Sequence, residues 1–159
     1  MQYTLGIDQS YTCTGYVIVD ESNVIHKFGT FKTTKDKDVY ERAIELADFI
    51  EDLVTQYSIK DVRIEGLAFG IRGDATRDLA GLQFVVITRL KVKHPSTVVK
   101  IIAPTSLKKF ATGTGKSDKA AMITAVPQNV MDKFVTAKLK KSSGLADVTD
   151  AYWLALFKS

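Results

Sequence analysis

At 159 residues, 45% hydrophobic and 25% charged, the chain fits one domain over residues 1–159 with a substantial core. A single cysteine, Cys13, excludes an internal disulfide and a multi-cysteine zinc site, and no apolar run can span a bilayer; with no basic-then-apolar leader after Met1, no membrane partner and a cytoplasmic location are expected. The net charge of +4 divides unevenly: residues 1–79 hold 9 Lys/Arg against 14 Asp/Glu (−5), and residues 80–159 hold 13 against 4 (+9), a basic field suited to a polyanion or to plain solvation.

Residues 3–7 read as a short strand ending at Asp8. Residues 15–20 and 24–31 read as two more, separated by turn formers that imply hairpins and antiparallel pairing. A helix follows from Asp38, whose spacing to Glu41 is that of a capping box. Ala43, Leu46, Ala47, Ile50, Leu53, Val54 and Tyr57 recur at helical intervals, and Glu45, Asp48, Glu51 and Asp52 form a solvated opposite side. Residues 61–65 are a fourth strand with Val62 and Ile64 on one face, followed by a glycine-spaced loop from Gly66 to Gly73. A helix over about 75–93 has more apolar residues than one stripe requires, so it is either deeply buried or meets a second subunit in a homodimer.

Residues 97–103 are a fifth strand ended by Pro104. Then come a turn of helix at 106–111, a Gly/Thr loop at 112–117 and a helix at 118–126 that stops near Pro127. A basic helix at 132–141 is broken by Ser142-Ser143-Gly144, and a last helix covers 145–157. Cys13 reads as a packing residue. His26 and His94 have no neighbouring carboxylate or thiol motif and read as structural or surface residues. The order predicts an α/β fold: a mixed five-stranded sheet, three antiparallel strands then two parallel, flanked by helices.

Asp8 and Glu65 each end an apolar strand, where a carboxylate is costly unless compensated. Either alone reads as an ordinary capping or loop acid. Asp147 and Asp150 are three apart on one face of an otherwise apolar helix. Like charges on a buried face repel and lose hydration, and a divalent cation relieves both problems. Oxygen-only donors favour Mg²⁺ or Mn²⁺ over zinc. Hard carboxylates within a basic surface suit phosphoryl chemistry, in which one or two ions activate water and stabilise the leaving oxygen.

At these residues the sequence resembles the RuvC family of Holliday junction resolvases, of the RNase H-like superfamily, over essentially the whole chain. Leu5-Gly6-Ile7-Asp8-Gln9-Ser10 with Thr14-Gly15-Tyr16 is similar to that family's GIDPG…TGY. Ile64-Glu65 matches its second motif. Ala103-Pro104 with Gly113-Thr114-Gly115 and Lys119 is similar to AP…GxGxxxK, and Ala146-Asp147-Val148-Thr149-Asp150-Ala151 to ADAADA. The length and divergence look like those of a phage-encoded member acting in the host cytoplasm. The resemblance implies a homodimer that nicks two strands of a four-way junction symmetrically with Mg²⁺, leaving 5′-phosphate and 3′-hydroxyl ends. It implies metal binding by Asp8, Glu65, Asp147 and Asp150 and a phosphate contact at the catalytic site by Lys119. Lys108, Lys109 and Lys116 are looser DNA-contact candidates. The family's aromatic after the second motif stands one position late here, at Phe69, with Arg72 and Arg77 nearby as alternative DNA contacts. That departure points to a broader range of branched DNA; a motor or helicase partner is not legible.

Thr112-Gly113-Thr114-Gly115-Lys116-Ser117 suggests a phosphate-binding P-loop, but the motif requires glycine where Phe110 stands. An actin-like or sugar-kinase ATPase, whose first motif is also similar to Gly6-Ile7-Asp8, needs two such domains. Two closer alternatives are an RNase H-like nuclease acting on RNA or RNA–DNA hybrid and a non-catalytic junction-binding protein. The second has no use for four repelling acids.

Overall fold

The computed structural model describes residues 1–67 and 73–159. Among the described residues, β1 (Tyr3–Asp8), β2 (Cys13–Asp20), β3 (Ile25–Lys32), β4 (Asp61–Glu65) and β5 (Val98–Ile102) form one sheet in the order β3-β2-β1-β4-β5. β1 and β3 pair antiparallel with β2, while β1–β4 and β4–β5 are parallel. Tight connections produce the first kind of pairing and helical crossovers the second, as the spacing of the elements predicts.

Strand alternation then sorts the side chains into two layers. Leu5, Ile7, Tyr16, Ile18, Val62 and Ile64 face α1 (Val39–Tyr57) and α2 (Asp74–Lys93). Val17 and Val19 face the other way, into a second core built with α3 (Pro104–Thr112), α4 (Lys119–Thr124), α5 (Gln128–Thr136) and α6 (Leu145–Leu156). Both halves of the expected capping box form at the start of α1: the Asp38 carboxylate accepts from the Glu41 N–H at 2.8 Å, and the Glu41 side chain accepts from the Asp38 N–H.

The structure corrects several local readings. α3 begins at Pro104, because a residue that stops a strand ladder also has the fixed φ suited to the first helical position. α5 starts directly after Pro127 and ends at Thr136. Lys138 has a left-handed φ of 64°, so Lys138, Lys140 and Lys141 lie on a turn and not on the expected basic helix. The β2–β3 hairpin gives His26 a carboxylate after all, with Nε2 2.7 Å from Asp20 Oδ2. α2 buries Leu82, Val86 and Leu90 but leaves Phe84 76% and Val92 70% exposed, so it is not deeply buried. Among the described residues, no helix is long and apolar enough to cross a membrane.

Candidate active site

Two glycines allow α6 to lie directly on the sheet. A Cβ at Gly6 would overlap the Ala151 carbonyl and stand 2.6 Å from the Ala155 nitrogen; one at Gly15 would overlap the Asp147 carbonyl. The helix therefore crosses the strands in order. Gly144 meets Thr30 of β3, Asp147 lies over Gly15 of β2, and Ala151 lies over Gly6 of β1. At its far end, the Arg63 guanidinium on β4 donates to the carbonyls of Ala155 (3.0 Å) and Phe157 (2.5 Å). A cation at a helix C-terminus both satisfies orphan carbonyls and suits the helix dipole. Arg63 and Glu65 share a strand face, so the anchor that fixes α6 also sets its position relative to Glu65.

This placement brings Asp8, Glu65 and Asp150 together. Each offers a carboxylate oxygen, and these oxygens lie within 4.8 Å of one another. Burial, followed by the charges of Asp150, Glu65 and Asp147, pushes Asp8 well above the ordinary carboxylate range. Burial, then Glu65 and Asp147, pushes Asp150 up to about 7. Burial also raises Glu65, while Lys108 and Lys119 pull it back. Desolvated carboxylates that repel one another form the electrostatic condition a hard dication relieves. An all-oxygen donor set fits Mg²⁺ or Mn²⁺.

The three acids line a cleft of about 540 Å³ with Asp147, Lys108, Lys119, Ser117, Asp118 and the apolar walls Leu107, Met122 and Ala146. Asp147 stands outside the three-acid group, toward β2, where its carboxylate lies beside the Cys13 thiol. Burial first, then that carboxylate, raises the thiol's pKa. Lys119 is the first residue of α4, next to the positive end of the helix dipole, so helix stability does not explain its place. It is held there through Met122, whose carbonyl accepts from Trp153 Nε1 on α6 at 3.1 Å.

Sequence reasoning missed Ser117, which is buried in the cleft wall and hydrogen-bonded to Thr112 and the Thr114 carbonyl. The Gly/Thr loop thus supplies its own acceptors and follows a helix, unlike a P-loop. Asp118 is a further carboxylate in the cleft, occupied in capping α4 through the Ala121 N–H. Lys109 and Lys116 are exposed outside the cleft lining. Arg77 pairs with Asp74 and Asp78 and lines a different hollow, beside Tyr11 and Tyr40. Phe69 and Arg72 lie outside the described residues.

Comparison with known proteins gives a consistent answer. A RuvC protein of Treponema denticola, a crossover junction endodeoxyribonuclease, is 28% identical over 125 residues, 77% of this chain and 69% of that protein. Its counterpart in Prochlorococcus marinus is 26% identical over 157 residues, 97% of this chain and 94% of its own length. Thermus thermophilus RuvC, solved in complex with a Holliday junction substrate, has the same fold, with a TM-score of 0.76 over 98% of this chain and 92% of that one at 17% identity. The family model described as crossover junction endodeoxyribonuclease RuvC matches residues 4–157, and the chain belongs to that family.

Proposed function

We propose that this chain is a metal-dependent endonuclease that resolves four-way and other branched DNA by paired nicks, leaving 5′-phosphate and 3′-hydroxyl ends. The observation that carries this reading is the cluster of Asp8, Glu65 and Asp150 facing Lys108 and Lys119 across one cleft. The three acids would hold one or two Mg²⁺ or Mn²⁺ ions, and Asp147, at the edge of the same cleft, would complete the donor set. A bound ion of this kind supplies Lewis acidity toward a phosphodiester and an acidified water. Lys119 and Lys108 neutralise phosphate charge opposite the acids, and Lys109 and Lys116 extend that field along the DNA. Leu107, Met122 and Ala146 exclude water from one side of the cleft.

The enzyme acts as a homodimer through α2, whose exposed Phe84 and Val92 line an open groove with Val85 and Thr88. Burying such residues across a two-fold axis removes them from water, and two clefts on one dimer supply two nicks.

Cleavage assays with Asp8→Asn test the central claim. Nicking of four-way junctions in Mg²⁺ is expected to be lost while junction binding is retained; unchanged nicking would remove the metal site from the mechanism. Parallel assays on three-way, flap, linear duplex and hybrid substrates define the range, and equal activity on linear duplex would contradict junction selectivity. For the dimer, Phe84→Glu is expected to give monomers by sedimentation.

A further inference from the structure

The cleft lysines lie on one side of the acids only. Glu65 is on β4, next to the edge strand β5 that leads into α3 and its Lys108. Across the sheet, past β1 and β2, stand the exposed Lys32 on β3 and the exposed Lys138, Lys140 and Lys141 on the turn before α6, whose Gly144 packs against Thr30 of β3. Lys32 pairs with Cys13 in the same register that pairs Thr30 with Gly15 and Phe28 with Val17. Alternation therefore puts its side chain on the α6 face of the sheet, at the end that carries Asp8. The other three lysines sit on the turn before α6, where Gly144 packs against Thr30.

That turn is built and not merely solvated. Lys138, Leu139, Ser143 and Leu145 donate backbone hydrogen bonds to Val135, Phe134, Lys140 and Lys140 respectively. Leu139 packs into the core beneath. Lys138 holds a left-handed φ that a non-glycine residue rarely adopts. Among the described residues, none of the four lysines is in an ion pair. The helical rise puts Gly144 roughly 9 Å along α6 from Asp150, a few nucleotides' reach at most.

From this geometry we infer that Lys32, Lys138, Lys140 and Lys141 form a second DNA-backbone ridge, on the β3 side of the acids and opposite Lys108 and Lys119. A strand whose scissile phosphate lies at the acids is then held by cations on both flanks. The inference rests on the junction-nuclease reading and adds to it where the strand leaves the cleft.

The test is junction binding by the full chain as a function of salt, comparing wild type with the quadruple variant Lys32→Gln, Lys138→Gln, Lys140→Gln and Lys141→Gln. The salt-dependence slope is expected to fall by about two to four, at roughly 0.9 per phosphate contact. The half-saturating protein concentration should rise at least about tenfold at moderate salt. Replacing the same four by arginine should restore the slope, which a loss of folding would not allow. A quadruple variant with wild-type slope and affinity overturns the ridge while leaving the nuclease reading intact. A wild-type protein that neither binds nor nicks junctions overturns both.

Discussion

α1 and α6 both carry acids, with opposite consequences. On α1, Glu45 pairs with Lys37 just before the helix, and Asp48 and Glu51 accept from Arg89 at 2.5 Å and 2.8 Å, at exposed or half-buried positions. Water and basic partners absorb those charges, and a capping box starts the helix. In α6 no side chain caps the N-terminus. Asp147 and Asp150 line one cleft with Asp8 and Glu65, and there burial and like charge raise Asp8 and Asp150 together. Acids that stabilise a fold therefore differ from acids kept despite it, and the difference lies in what each carboxylate faces.

The contrast can be broken most directly at Asp150. Asp150→Asn should lower nicking by more than about 100-fold, the upper end of what removing an outer-shell partner of a metal site costs, and should raise the thermal midpoint of the metal-free protein. A variant that loses activity without gaining metal-free stability would mean that its charge was already neutralised within the protein.

Gly6→Ala should destabilise by about 1–3 kcal/mol or more in chemical denaturation, because the added Cβ forces α6 off β1. Gly81→Ala, on α2 with nothing in the same chain within 4 Å of the new Cβ, should stabilise the monomeric Phe84→Glu background by roughly 0.5–1 kcal/mol. Equal effects at the two sites would contradict the close approach of α6.

pH sharpens the same contrast. Asp150 binds its proton more tightly in the folded chain than in the unfolded one. Its contribution to stability is therefore complete below the ordinary carboxylate range and is lost as pH climbs through about 7. The metal-free thermal midpoint should fall between about pH 4 and pH 7 from this site. Mg²⁺ or Mn²⁺ should recover more of it at pH 8 than at pH 5, measured by scanning calorimetry. The smallest effect is expected in α1, where Asp48→Asn should leave nicking unchanged and alter stability by less than about 1 kcal/mol.

Most of the fold was legible because its signals are local. Hairpin spacing, the Asp38–Glu41 capping box and the alternation of Val62 and Ile64 each involve residues near one another in the chain. The errors fell where a local signal has two meanings. Pro104 ends a strand and opens a helix, and the lysines after Thr136 suit a basic helix or a basic turn equally well. His26 found its Asp20 partner only through the hairpin. Asp147 and Asp150 looked equivalent from their spacing, yet Asp150 joins Asp8 and Glu65 while Asp147 turns toward Cys13.

The chain's order of apolar and polar residues was thus enough to predict the five strands, their pairing and most of the helices, and to single out four acids as candidates. Tertiary structure alone decided which acids meet. That depends on how α6 crosses the sheet, seated on Gly6 and Gly15 and tied down by Arg63. Close backbone approach and a guanidinium reaching helix carbonyls 92 and 94 residues away leave no periodic trace in sequence.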